Sequence, residues 1–165
     1  MSEEKYRLLP HRESDNCFAC SRTNPSGLKM NFYTDGQKIV SRVRVAPNLS
    51  GWDQLVHGGI LATMLDEAMG WGVLHLVGRI TLTKSMTVDF LKPAYVNREL
   101  KVESHILERR GDREVWMEGF LWNDAGELCA KSLGSYALFT AEDMKRRKIL
   151  NEELIRDVER IIAGG

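Results

Sequence analysis

His57-Gly58-Gly59-Ile60-Leu61-Ala62-Thr63-Met64-Leu65-Asp66-Glu67-Ala68-Met69-Gly70-Trp71 reads as a glycine-marked helix start that runs into a nearly all-apolar helix carrying two acids. Gly78 is the expected end of that helix. From Ile60 to Val77 the only formally charged residues are Asp66 and Glu67. On a helical wheel Asp66 shares its stripe with Ala62, Met69, Gly70 and Val73, and Glu67 lies with Thr63, Trp71 and Leu74. Neither acid has a solvated face of its own, and ionised carboxylates are costly to bury unless paired or hydrogen-bonded. They therefore serve either chemistry or a structural cap or ion pair, and Asp66 makes the stronger case for chemistry.

Outward from the helix, strand-like runs dominate. Asn24-Pro25-Ser26-Gly27 is a turn signal, after which Leu28 to Tyr33 and Gln37 to Val45 read as a hairpin. Ile39, Val43 and Val45 alternate there with Lys38, Arg42 and Arg44, which gives one wet face. Four further strands are expected near Thr81 to Lys92, Leu100 to Arg109, Glu114 to Asn123 and Leu128 to Thr140. In the first of these, Leu82, Met86, Val88 and Phe90 alternate with a hydroxyl-rich row of Thr81, Thr83, Ser85, Thr87 and Asp89. Residues 142–161 read as one charged helix, with Ile149, Leu150, Leu154, Val158, Ile161 and Ile162 as an apolar stripe for an outer surface or a partner chain.

A single helix this apolar is covered only if a curved antiparallel sheet wraps it. The expected fold is thus α+β in one domain: an N-terminal arm over 1–27, a core over 28–140 and a C-terminal helix over 141–165. Closing two chains side by side would protect the sheet's edges. At 165 residues, 43% hydrophobic and 28% charged, the composition is that of a soluble globular domain. Lys plus Arg and Asp plus Glu both total 23, so no net field points to nucleic acid or an anionic membrane. No signal-like apolar segment stands at the N-terminus, which leads to the expectation of a cytoplasmic protein without a membrane partner.

Cys17-Phe18-Ala19-Cys20 is the one motif among three cysteines, Cys129 being the third. Ribbon or finger metal sites need two pairs or nearby histidines, and only His11 is close in sequence. The expectation is therefore no metal and no cofactor, with the pair as reduced, partly buried thiols.

Taken together, His57-Gly58-Gly59, the acid nine positions on at Asp66, and Thr83 ten residues before Pro93 in Phe90-Leu91-Lys92-Pro93-Ala94 resemble the hotdog-fold thioesterase superfamily. The branch it is most similar to is the phenylacetate-pathway, PaaI-like one, over about Cys17 to Phe139. The resemblance implies acyl-CoA thioester hydrolysis in a homodimer or dimer of dimers. The backbone amide of Gly59 would polarise the thioester carbonyl, and helix N-termini do present unpaired N–H groups with partial positive charge. Asp66 would activate water or attack directly, Thr83 would hold the water or the acid, and His57 would position the loop. Gly58, Glu67, Trp71, Gln54 and Lys92 are candidate substrate contacts, Lys92 for CoA phosphates and Gln54 for the amide that some relatives carry before the histidine. Gly59 and Asp66 are seven residues apart, about 10 Å along one helix. Both must come within about 3 Å of the reacting group, so the site is expected to draw Gly59 from one chain and Asp66 from another. Competing readings are a non-catalytic acyl-CoA binder, a hydroxyacyl-thioester dehydratase, and a structural oligomer whose acids serve the interface.

Overall fold

The computed structural model describes residues 5–164, a seven-stranded antiparallel sheet wrapped around one long helix. In chain order the strands are β1 (Arg7–Leu8), β2 (Tyr33–Thr34), β3 (Lys38–Arg44), β4 (Ile80–Phe90), β5 (Glu99–Arg110), β6 (Glu114–Trp122) and β7 (Leu128–Phe139). Across the sheet they run β1-β2-β3-β5-β6-β7-β4, so β4, which follows the helix directly, lies at an edge. The helices are α1 (Gly58–Gly72), α2 (Ala141–Arg147) and α3 (Glu152–Ala163).

His57 caps α1 from an extended conformation, its Nδ1 accepting the Gly59 N–H. Leu61, Met64, Leu65, Ala68, Met69 and Trp71 turn the helix into the sheet and are buried. At Gly72 helix and sheet touch: an added Cβ would lie 2.5 Å from Met117 Cε and 3.2 Å from Ser104 Oγ. Ser104, buried on β5, donates to the Ala68 carbonyl at 2.6 Å and ties the two layers together. Beyond Gly72 the helix widens into a π-type turn over Val73–Val77, and Gly78 ends it at a φ of 71°, the left-handed conformation expected of a glycine cap. By length and composition Gly58–Val77 would suffice to cross a bilayer, but here it is the core helix that β3 to β7 pack against.

Three details depart from the sequence expectations. First, β2 is only Tyr33–Thr34 rather than the whole of 28–33, and it pairs with β1 of the arm, which also sends Leu9, Ala19 and Cys20 into the core. Second, the C-terminal segment is two helices. Thr140 and Asp143 form a capping box for α2, Lys148 ends it at a φ of 53°, and Asn151 caps α3, so polar start and stop signals outweigh the continuous apolar stripe. α3 buries Ile155, Val158 and Ile161, packing on Leu74 and Ile80 of its own chain.

Third, the hydroxyl row of β4 is broken. Thr83 pairs with Tyr136 and Ser85 with Ser135, leaving Lys84 as a bulge. One extra residue reverses the alternation, so Thr83 shares the helix-facing side with Met86 and Val88, both packed on the core, while Ser85, Thr87 and Asp89 face away.

Candidate active site

Midway along α1, Asp66 meets two hydroxyls from adjacent strands. Its Oδ1 accepts from Thr83 Oγ1 at 2.8 Å and from Tyr136 Oη at 2.8 Å. The β4–β7 ladder sets Thr83 and Tyr136 opposite each other, and the Lys84 bulge keeps Thr83 on the helix side. Tyr136 is fully buried, and that burial, together with the Asp66 charge and the hydrogen bond to it, pushes the phenol pKa upward; it stays a donor at any working pH. Asp66 itself is half-buried and faces a cavity of about 190 Å³ that Thr83, Glu67, Trp71 and Arg12 also line. Its Oδ2 accepts from no group among the described residues, which leaves an oxygen for a ligand or water.

Tyr136 was not found from sequence. It stands among Ser132, Gly134 and Ser135 in a strand whose residues are mostly buried, and nothing in that pattern separates it from an ordinary core aromatic. The nearest signal is that small neighbour at Gly134: a Cβ there would lie 2.8 Å from the Tyr136 ring.

The helix start forms a second centre. Gly58, Leu61, Phe90, Lys92 and Pro93 line an open groove of about 360 Å³. The Gly59 N–H is donated to His57 Nδ1 at 2.9 Å within the same chain, whereas the Gly58 N–H meets no acceptor among the described residues. Lys92 is exposed and its Nζ donates to Glu127 at 2.6 Å, the bond that holds its pKa above the ordinary value. Gln54 is exposed, its carbonyl accepts from Val96, and it lines neither hollow.

Glu67 points to the arm. Its Oε1 accepts from Trp71 Nε1 at 3.1 Å, from Arg12 Nη2 at 3.4 Å and from Cys17 Sγ at 3.6 Å. Trp71 is buried and stacks on Phe32 at 5.0 Å between ring centroids, so it is a core residue whose edge reaches the cavity. The fold thus gathers Asp66, Thr83, Glu67 and Trp71 at one place and His57, Gly58, Gly59 and Lys92 at another.

A helix sheathed by an antiparallel sheet, with an acid held by strand hydroxyls at its middle and glycines at its start, is the hotdog architecture. The thioesterase superfamily model matches residues 53–130, a stretch that holds Asp66, Thr83 and the helix start but ends before Tyr136. An uncharacterised protein of Schizosaccharomyces pombe is 31% identical over 94 residues, 54% of this chain and 53% of that protein. The acyl-coenzyme A thioesterase THEM4 of Xenopus laevis is 30% identical over 81 residues, 48% of this chain and 36% of that protein. The chain therefore spans about half, or less, of the curated relatives it matches. Among solved structures, Escherichia coli PaaI from the phenylacetic acid degradation operon superposes with a TM-score of 0.61 at 19% identity, covering 68% of this chain and 81% of that one. A Streptococcus pneumoniae hypothetical thioesterase with coenzyme A superposes at 0.59 and 17% identity, covering 82% and 87%. These likenesses establish a PaaI-like hotdog fold.

Proposed function

We propose that the protein hydrolyses acyl-CoA thioesters to free acid and CoA, with Asp66 as general base. The observation that carries this is the Asp66 carboxylate, half-buried in a cavity with Oδ1 fixed by Thr83 and Tyr136 and Oδ2 free. A pure binder gains nothing from an acid beside a ligand carbonyl, whereas a carboxylate oriented by two donors is suited to taking a proton from water. Water oxygen attacks the thioester carbon as Asp66 takes its proton. The carbonyl becomes an oxyanion, and when it collapses the C–S bond breaks; the proton held by Asp66 passes to the departing CoA thiolate. The relatives named as thioesterases, and the coenzyme A in the pneumococcal structure, support CoA as the carrier.

The oxyanion needs N–H donors, and the nearest suitable ones stand at the other end of the α1 first turns, about 10 Å from Asp66 along the same helix. The reading therefore includes a dimer. β4 is an eleven-residue edge strand on which Leu82 is 40% exposed and Phe90 55%, and such edges favour pairing. Antiparallel pairing of two β4 strands about a twofold axis brings the Thr83 end of one toward the Phe90 end of the other, and the Phe90 ring lines the same groove as Gly58, 3.5 Å from where a Cβ there would stand. Asp66 of one copy then faces the helix start of its mate. The Gly58 N–H is available there as it stands, and the Gly59 N–H becomes so when the His57 imidazole turns aside.

Release of free thiol from aryl, short-chain and long-chain acyl-CoA by the native chain and by Asp66→Asn tests this. Turnover that falls about 10²- to 10⁴-fold in the variant with binding retained is the expected result. Acyl-CoA bound without turnover by the native chain would instead establish a binding module.

A further inference from the structure

The CxxC turn of the arm and Glu67 of α1 stand together although 50 positions separate Cys17 from Glu67 in sequence. Cys17 Sγ, Cys20 Sγ and a Glu67 carboxylate oxygen all lie within 4.8 Å of one another, and Cys17 Sγ is 3.6 Å from Glu67 Oε1. In a tetrahedral zinc site, metal–ligand lengths near 2.3 Å for sulfur and 2.0 Å for oxygen set donor separations of about 3.8 Å between sulfurs and about 3.5 Å between sulfur and oxygen. The three donors already stand near that spacing.

The turn holding the thiols is built in advance. Ser21 donates its N–H to the Cys17 carbonyl at 3.1 Å. Backbone bonds from Leu28 to the Phe18 carbonyl at 2.9 Å and from Met30 to the Ala19 carbonyl at 2.9 Å brace it from the far side. Gly27 makes this crossing feasible, because a Cβ there would fall 2.6 Å from the Phe18 carbonyl oxygen. The Asn24-Pro25-Ser26-Gly27 turn and the CxxC motif are thus one unit.

Around the donors lies a hydrogen-bonded outer layer. Arg12 Nη2 is 3.2 Å from Cys20 Sγ and 3.4 Å from Glu67 Oε1, its Nε lies 3.2 Å from Asp15, and Trp71 Nε1 donates to the same Glu67 oxygen. Donors to ligating sulfur and oxygen are what metal sites recruit to fix their ligands. Two thiolates and the Glu67 carboxylate carry three negative charges, which a divalent cation and the Arg12 guanidinium balance.

We propose that Cys17, Cys20 and Glu67 form a site for a thiophilic divalent cation, zinc by donor set and spacing, with a water in the fourth position. The ion fastens the arm to α1 at the residue next to Asp66, along the wall of the cavity. It does so whether or not the cavity hydrolyses thioesters.

The test uses the full chain, purified under reductant, titrated with Zn²⁺ against a chromophoric chelator and with Co²⁺ by absorption. One zinc per chain is expected, lost in Cys17→Ser and Cys20→Ser, weakened at least about tenfold in Glu67→Gln, and unchanged in Cys129→Ser. Zinc should also raise the melting temperature and slow proteolysis within residues 5–27 of the native chain. Should the cysteine variants not fold, the native cobalt spectrum decides: a thiolate-to-cobalt charge-transfer band with tetrahedral visible bands is expected. Absence of that band, zinc binding indifferent to all three substitutions, or a Cys17–Cys20 disulfide in the chain kept under reductant overturns the proposal.

Discussion

The two ends of the Asp66 to Gly58 stretch of α1 are built in opposite ways. At the middle, a carboxylate is held by two side-chain hydroxyls inside a cavity, its donors fixed by the β4–β7 register. At the start, the groove offers backbone N–H groups and the positive end of a helix dipole, edged by exposed Phe90 and Leu91 and containing no acid of α1. One centre can take a proton, and the other can stabilise an oxyanion. Thioester hydrolysis needs both within one reacting group's reach, and a rigid helix keeps them apart in a single chain. The difference teaches that the proposed chemistry is split between the two ends of the edge strand, which is why a second copy enters the proposal.

After Asp66→Asn, the largest expected effect sharpens which amide matters. Gly58→Pro suits the first helical position, where His57 is already extended with a ψ of 134°, and removes one N–H without disturbing the helix. If Gly58 supplies the oxyanion donor, kcat should fall about 10²- to 10³-fold with the melting temperature held. Native kcat in that variant would shift the role to Gly59. Mixed with Asp66→Asn, it should recover activity in heterodimers, since each mixed dimer keeps one intact acid and one intact helix start facing each other. No recovery at any mixing ratio breaks the comparison.

A smaller effect is expected at the carboxylate's supports. Tyr136→Phe keeps the buried ring but removes one donor to Asp66, and should cost about 1 to 3 kcal/mol of stability in denaturant unfolding. Thr83→Val removes the other donor at a more exposed position and should cost less stability while still lowering kcat. Equal activity losses from both would mark them as joint positioning groups; a loss from neither would make Asp66 a structural acid. The smallest effect belongs to the helix-start groove: Glu127→Gln frees the exposed Lys92 and should leave stability unchanged while lowering the KM for acyl-CoA, if that lysine meets a phosphate.

Much of this was legible in the chain because it rests on local rules. Glycines at 58, 59 and 78 and the apolar run between them define α1, and the alternation and turn signals place five of the strands within a few residues. What was misread involved competition between signals. The apolar stripe over 142–161 hid the stop at Lys148 and the fresh cap at Asn151, and period-two counting along β4 assumed no bulge at Lys84. That bulge matters most, since it decides that Thr83 looks at Asp66.

By itself, then, the sequence determined a buried helix bearing two acids, a sheet long enough to wrap it, and a glycine-marked start with exposed backbone, all consequences of spacing within a dozen residues. Only the tertiary structure decided that Tyr136 shares Asp66 with Thr83, that His57 occupies the Gly59 amide, and that Glu67 turns to Cys17, Cys20 and Arg12. The reason is physical. Those contacts join residues 17 to 70 positions apart, or depend on which way one side chain turns, and sheet register and packing set them rather than any local propensity.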